Sequence, residues 1–300
     1  MFLRSCILFL LLLLTAGPLW AEQVKDHAGR LVNVPDNPER VVSLAPSITE
    51  MIFAVGRGGL LVGATKFSNY PREAEGIPSV GSYVSLDIEK IVSLNPDLCI
   101  AVKDGNPIGV VRRLEELGIP VYAVDPTDLE SVMDTIEEIG SLLGAADKAD
   151  RVVADMEKRL AEVNKRLSDI SSRPGVFFQI GINPIVSAGS DTFIHELITR
   201  AGGKNLAGEY KGYPKFSTEE VLVLAPEIII VTSMNRQKAF ERVVAEWKQW
   251  KNLPATANDR IYLVDSDLVD RPSPRLVKGL EELAGLIHPD HFNETGRRRN

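Results

Sequence analysis

Three sequence segments occur twice along this 300-residue chain, in the same order and with similar spacing. The pairs are residues 86–97 with 216–227, residues 48–51 with 194–197, and residues 121–125 with 261–265, at offsets of 130, 146 and 140. One such match would be weak evidence, because a helix, a proline and a strand follow each other in many α/β proteins. Three matches in one order predict two similarly built lobes.

Short apolar runs rich in β-branched residues alternate with amphipathic stretches, which is typical of α/β layers with mainly parallel sheets. The predicted strands are residues 40–44, 61–64, 98–101, 121–124, 176–180, 185–188, 228–232 and 261–264. The chain exceeds the usual size of a single domain, so we expect two α/β lobes with separate cores.

The stretch between the repeats has the pattern of one long helix. Its apolar residues recur at helical spacing, and neither Gly nor Pro occurs from 148 to 172. About 22 helical residues would span roughly 33 Å. We therefore predict an N-terminal lobe (22–146), a connecting helix (147–172), a C-terminal lobe (173–290) and a flexible tail (291–300); an ordinary surface helix is the alternative for the connector.

The first 21 residues are predicted to be a signal peptide. Arg4 precedes an apolar run over residues 7–14, and small Ala21 suits signal peptidase. The run is shorter than the ~20 apolar residues of a membrane-spanning helix, so we expect cleavage near Ala21 and a periplasmic protein. Cys6 lies at the start of the apolar run and not at the cleavage point, so we expect no lipid anchor.

The mature chain has one cysteine and an acidic balance. Beyond the leader only Cys99 remains, so no internal disulfide is expected. The formal net charge of −7 argues against nucleic acid or anionic lipid as a partner. We expect a monomer.

The sequence shows no arrangement that predicts catalysis, a metal site or a bound cofactor. It has no Gly-Lys-Ser/Thr phosphate loop and no Gly-x-Ser-x-Gly nucleophile turn. The four histidines, His27, His195, His288 and His291, are scattered, whereas a metal-ion binder needs clustered His and carboxylate ligands. A solute-binding protein is the favoured function, and a periplasmic hydrolase on a two-lobed scaffold is the alternative from another class.

The chain resembles the periplasmic binding proteins for cobalamin, iron-siderophore complexes and haem, and most closely the cobalamin branch. The segments that carry the resemblance are RVVSLAPSITE at 40–50, FSNYP at 67–71, EKIVSLNPD at 89–97, QIGINP at 179–184 and SPR at 273–275. The resemblance runs from about residue 40 to 287. It implies two α/β lobes joined by one long helix, a ligand held between the lobes, and delivery to the membrane subunits of an ABC importer.

The resemblance also implies which loops face the ligand. A corrinoid is a flat, amide-fringed ring, so its cleft needs aromatic faces and a few hydrogen-bonding groups. The candidate aromatic side chains are Phe67, Tyr70, Tyr83 and Tyr213, and the candidate polar ones are Lys103, Asn183, Asp267 and Arg271. Packing of a lid or core is the alternative for the aromatic residues, and a salt bridge with Asp267 or Asp270 is compatible with a binding role for Arg271.

The match to the cobalamin branch is incomplete. Positions that resemble tryptophans there are Tyr83, Val102 and Tyr213 here. A corrinoid is therefore the first candidate ligand, and a ferric siderophore or haem remains an alternative.

Glu89 and Glu219 occupy matching positions in the longest repeat, each at the start of a predicted helix. A carboxylate is favourable there for electrostatic reasons alone. In the family that the chain resembles, one surface glutamate per lobe docks onto arginines of the importer. The resemblance therefore implies a docking role for both residues.

Overall fold

The computed structural model describes residues 21–232 and 236–292 of the chain. The predicted signal peptide, apart from Ala21, and most of the predicted tail lie outside the described residues. Every helix within the described ranges is too short or too polar to cross a bilayer.

The N-terminal lobe is built on a four-stranded parallel sheet. The eight strands of this lobe are β1 (Ala21–Lys25), β2 (Leu31–Pro35), β3 (Val41–Ser43), β4 (Leu61–Gly63), β5 (Gly81–Ser82), β6 (Ser85–Leu86), β7 (Leu98–Val102) and β8 (Val121–Val124). Its helices are α1 (Pro46–Ala54), α2 (Ile88–Ser93), α3 (Ile108–Glu116) and α4 (Leu129–Leu142), with 3₁₀ turns at Gly58–Leu60 and Arg72–Gly76. The parallel sheet has the order β4-β3-β7-β8, and two hairpins, β1-β2 and β5-β6, flank it.

A single helix, α5 (Ala146–Arg166), connects the lobes. Its 21 residues span about 32 Å, and it packs along α4 and α1 of the first lobe and a helix of the second. The helix ends six residues before the predicted end. The predicted end rested on the absence of Gly and Pro, but Ser168 and Asp169 follow the helix, and such short polar side chains favour turns over helix interiors.

The C-terminal lobe repeats the sheet of the first. Its strands are β9 (Gly175–Gln179), β10 (Gly181–Ile182), β11 (Ile185–Val186), β12 (Lys204–Asn205), β13 (Lys215–Phe216), β14 (Ile228–Thr232) and β15 (Ile261–Val264). Its helices are α6 (Phe193–Arg200), α7 (Thr218–Leu224), α8 (Arg236–Lys248), α9 (Pro254–Ala257), α10 (Ser266–Val269), α11 (Leu276–Ile287) and α12 (Pro289–Phe292). The parallel sheet β12-β9-β14-β15 and the sheet of the first lobe share one order: the second strand along the chain, then the first, third and fourth.

All eight predicted strands coincide with observed strands to within about two residues, and the two-lobed α/β fold is confirmed. Two details differ. The predicted strand at 185–188 lies in a small antiparallel sheet, β10-β11-β13, and not in the parallel sheet. Seven observed strands were not predicted, and all but β1 and β2 have only two residues, too few to give a pattern: β1, β2, β5, β6, β10, β12 and β13.

The hydrophobic core does not divide cleanly between the lobes. Alternate residues of each strand face opposite sides of its sheet. Val41 and Val176 belong to one large apolar cluster that both lobes share, whereas Val42 and Phe177 each belong to a smaller cluster within one lobe. The large cluster includes the apolar face of α5 and helices from both lobes. The expectation of separate cores was therefore wrong in part, and the shared cluster couples the lobes on the side of the connector.

Candidate ligand-binding cleft

A cavity of about 310 Å³ lies between the lobes. The first lobe contributes Pro46, Ser47, Phe67, Tyr83 and Val102 to its wall. The second lobe contributes Ser266, Asp267, Asp270, Arg271 and Pro272. These residues follow the carboxyl ends of the parallel strands β3, β7 and β15 or lie in the loops after β4 and between β5 and β6, where ligands bind in α/β sheets.

A buried amide joins three of the loops around the cavity. Asn106 donates from Nδ2 to the carbonyls of Leu44 at 2.8 Å and Tyr83 at 2.9 Å, and its Oδ1 accepts from the backbone N–H of Val102 at 2.8 Å. The first lobe's half of the cleft is therefore held in place by one side chain. No local sequence pattern predicts this role of Asn106, because its partners are 4, 23 and 62 residues away.

Buried hydroxyl groups support the loop that carries Phe67. Thr49 Oγ1 donates to Ser43 Oγ at 2.8 Å and lies 2.8 Å from Ser68 Oγ. The Phe67 ring meets the Tyr83 ring edge to face, with centroids 6.5 Å apart. This is a favoured aromatic geometry and presents ring surface to the cavity.

The charged side of the cleft is organised around Glu50 of α1. This carboxylate accepts from Arg271 Nη1 at 3.0 Å, from Ser273 Oγ at 2.7 Å and from Arg275 Nε at 2.8 Å, all in the second lobe. Arg271 also pairs with Asp267 at 3.0 Å, as the sequence had allowed. The cluster fixes the guanidinium of Arg271 at the cavity wall.

Two further groups at the cleft have raised pKa values. Desolvation, followed by the charges of Asp267 and Asp265 and opposed by Arg271, raises the pKa of the Asp270 carboxyl to about 7. Within the described residues no hydrogen bond to this carboxyl is found. Desolvation, then the charges of Asp270, Asp191 and Tyr83, raises the pKa of Tyr213, which indicates that its exposed ring lies near the cleft.

The predicted binding residues fall into two groups. Phe67, Tyr83, Asp267 and Arg271 line the cavity. The other four lie outside the residues that form its wall. The guanidinium of Arg275 stacks on Tyr70 at 4.1 Å from the ring centroid, Lys103 pairs with Asp125 at 2.7 Å, Asn183 lies in the turn between β10 and β11, and Tyr213 is exposed. A contact of any of the eight with a ligand stays a prediction.

The two predicted docking residues occupy equivalent places in the two lobes. Glu89 is the second residue of α2 and Glu219 the second residue of α7, and both are exposed. Asp87 and Ser217 cap these helices. Because α2 leads to β7 and α7 to β14, the two carboxylates occupy equivalent positions in the two lobes.

No group of three or more His, Cys, Asp or Glu side chains in the described ranges is placed to hold a metal ion. Cys99 is buried, which raises the pKa of its thiol to about 12 and leaves it without nucleophilic character. The side chains of the cavity wall offer aromatic rings, hydroxyl groups and charged groups for binding.

Comparison with known proteins agrees with this geometry. Residues 41–268 match the periplasmic binding protein family. An uncharacterized ABC transporter substrate-binding lipoprotein of Bacillus subtilis is 34% identical over 277 residues, which cover 90% of this chain and 87% of that protein. Its lipoprotein description leaves the absence of a lipid anchor in this chain a prediction.

Two solved structures share the fold. The periplasmic vitamin B12 binding protein of Vibrio cholerae is 28% identical with a TM-score of 0.75, covering 86% of this chain and 100% of that one. The periplasmic haem-binding protein of a Roseiflexus species, in its apo form, is 27% identical with a TM-score of 0.75, covering 85% and 99%. These relatives are binding and transport proteins, and the prediction that the chain is not an enzyme is confirmed. The chain belongs to the periplasmic binding protein family, as the solute-binding component of an ABC importer.

Proposed function

We propose that the cleft binds a corrinoid between the two lobes and that the liganded protein delivers it to the membrane subunits of its importer. The observation that carries the choice of ligand is the charge of the cleft. Within the described residues that line the cavity, Arg271 is the one cation, and Glu50 and Asp267 neutralise it. Asp270 adds a further acid.

Such a cleft suits a neutral or cationic ring fringed with amides. Asp270 titrates near neutral pH, so its carboxyl accepts from amide N–H groups when ionised and donates to amide oxygens when protonated. Phe67 and Tyr83 offer ring surface to the macrocycle. A corrinoid is larger than the enclosed cavity, so part of the ring would lie in the open cleft beside Tyr213.

Haem is the second candidate, because tyrosine phenolates ligate ferric haem iron and Tyr83 and Tyr213 are close to the cleft. Two features make it less favourable. The raised pKa of Tyr213 opposes formation of the phenolate, and the one cation among the described residues of the cavity wall, Arg271, is already paired with Glu50 and Asp267 and not free for the two propionates. The second objection applies equally to an anionic ferric siderophore.

Parallel calorimetric titrations with cyanocobalamin, dicyanocobinamide, haemin and a ferric siderophore test the proposal. We expect one or both corrinoids to bind and the anionic ligands to bind far more weakly. Tight binding of haemin without binding of either corrinoid would overturn the assignment. Turnover of any candidate substrate would overturn the binding function itself.

We also propose that Glu89 and Glu219 dock the protein onto its importer. Two exposed carboxylates at equivalent positions of similar lobes suit a two-fold symmetric partner with basic docking sites. A double variant, Glu89→Gln with Glu219→Gln, should reduce transport strongly at unchanged ligand affinity. Glu130→Gln, another exposed first-turn glutamate, is the matched control. Equal transport by the double variant and the control would exclude docking through these residues.

The lobes should move little when the ligand binds. A helical connector and an apolar cluster shared between the lobes oppose a wide hinge motion. X-ray scattering of the free and liganded protein measures this. A change equivalent to a lobe rotation of tens of degrees would contradict the expectation.

A further inference from the structure

Glu50 lies behind the cleft and not in its wall, yet every hydrogen bond to its side chain in the described residues comes from the second lobe. Arg271, Ser273 and Arg275 all donate to its two carboxylate oxygens. The side chain is almost completely buried. Solvent screens a buried carboxylate weakly, so its charge acts on neighbouring groups more strongly than that of an exposed carboxylate.

Glu50 acts on the ligand site through the guanidinium of Arg271. Its guanidinium lies at the cavity wall and is only 14% exposed. Besides Glu50 and Asp267, it donates to Asn69 Oδ1 at 2.8 Å and to the carbonyl of Phe67 at 3.2 Å. Most of its donors are therefore engaged, and its charge is shared between two carboxylates before any ligand arrives.

The balance of charge around the cavity depends on Glu50. Arg271 and Arg275 are matched by Glu50 and Asp267, and Asp270 makes the total neutral or negative. Without the Glu50 carboxylate, the total charge of the same groups would be one unit more positive, and Arg271 would lose one of its two carboxylate partners. A ligand carboxylate would then find a partner at the cavity wall.

We propose that Glu50 is a specificity-determining residue that keeps the cleft from accepting ligands with free carboxylates. The proposal deepens the proposed function of the cleft and rests on its being the ligand site. Glu50 acts through Arg271 and does not itself touch the ligand. Its role differs from that of a purely structural ion pair, because removing its charge should improve binding of one class of ligand.

The test compares Glu50→Gln with the wild type, using haemin and haemin dimethyl ester as probes. The two probes share a ring, and only haemin has free carboxylates, so the ratio of their affinities isolates the charge effect. Absorbance titrations should show that Glu50→Gln raises the preference for the diacid by about tenfold, the effect of one charge-assisted hydrogen bond in a partly solvated site. Affinity for dicyanocobinamide should stay equal or fall.

Two further variants serve as controls for the Glu50→Gln experiment. Glu281→Gln removes a carboxylate from a similar pair with Arg159 away from the cavity and should leave the ratio unchanged. Arg275→Met keeps the Glu50 carboxylate bonded to Arg271 and Ser273 but makes the total charge one unit more negative, so it should lower the ratio, and it stays informative where Glu50→Gln does not fold. Thermal melts confirm the folding of each protein.

Equal weakening of both porphyrins by Glu50→Gln, no gain in its binding of the diacid, or an unchanged ratio in Arg275→Met would overturn the proposal. The outcome is separate from that of the ligand assignment. Should the wild type bind no corrinoid while the ratio shifts as expected, the role of Glu50 stands and the corrinoid proposal fails. Should the wild type bind cobinamide while the ratio stays fixed, the reverse holds.

Discussion

Glu50 and Glu196 occupy matching positions in the repeat, and each reaches across to the other lobe. Glu50 of α1 binds the residues before α11, whereas Glu196 of α6 accepts a hydrogen bond from the backbone N–H of Leu129 at 2.9 Å, at the start of α4. The side chain of Glu50 is 2% exposed and that of Glu196 is 21% exposed. We call these two contacts between the lobes the Glu50 crossing and the Glu196 crossing. The Glu50 crossing is a buried ion cluster, and the Glu196 crossing is a helix cap.

The difference arises from the connection that each glutamate meets. In the first lobe four residues join β8 to α4, and in the second lobe residues 265–275, including α10, join β15 to α11. This longer connection supplies Asp267, Asp270 and Arg271 to the cavity. The repeat thus provides a symmetric frame, and one asymmetric connection provides the cleft chemistry.

The largest effect should follow from breaking the Glu50 crossing. Glu50→Ala leaves two partly buried guanidinium groups without their shared carboxylate and should lower the free energy of unfolding by about 3 kcal/mol. Urea denaturation measures this. Glu281→Ala, which breaks the more exposed pair with Arg159, should cost less than about 1 kcal/mol. Equal losses would mean that burial of the Glu50 cluster is not what matters.

A second comparison concerns two buried asparagines. Asn106 joins cleft loops, whereas Asn205 donates to the carbonyl of Ala188 at 2.8 Å and accepts from the backbone N–H of Ala207, away from the cavity wall. Either residue changed to Ala leaves buried backbone groups unpaired and should cost about 2 kcal/mol of stability. Only Asn106→Ala should also weaken ligand binding, measured by calorimetry on folded protein. Equal affinities for the two variants would show that Asn106 does not position the cleft.

The Glu196 crossing should be weaker than its counterpart. Glu196→Ala removes one hydrogen bond to a helix N-terminus and an i,i+4 pair with Arg200, so a loss of about 1 kcal/mol is expected. Urea denaturation beside Glu50→Ala gives the comparison directly. A loss as large as that of Glu50→Ala would contradict the distinction between the two crossings.

The smallest effect concerns pH. Because the folded protein raises the pKa of Asp270 to about 7, the unfolded chain loses this proton at lower pH than the folded one, and stability falls as pH rises from about 4 to 7. Asp270→Asn should therefore stabilise the protein at pH 8 and change little at pH 4. Asp270 is an exposed residue despite the partial desolvation of its carboxyl, so solvent screening should keep the gain below about 1 kcal/mol. A gain at pH 4 equal to that at pH 8 would exclude this origin.

The sequence identified those cleft residues that lie beside strand ends or in the loops implied by the family resemblance. Phe67, Tyr83, Asp267 and Arg271 were found in this way. One feature of the sequence could have pointed to Glu50. Its segment, 48–51, is repeated at 194–197, and both copies place a glutamate among the apolar residues of a predicted helix. Asn106 had no signal in the sequence, because the role of a buried amide becomes visible only when the folded loops that it joins are known.

The sequence alone determined the frame: the α/β alternation, the repeat and the connector appear as local periodicity, which depends on neighbours a few residues apart. Tertiary structure alone decided the chemistry of the cleft. The partners of Glu50 lie 221 to 225 residues away, and only the packing of the two lobes brings them together. Charge balance at the cavity wall is a sum over such distant groups, and no local pattern records it.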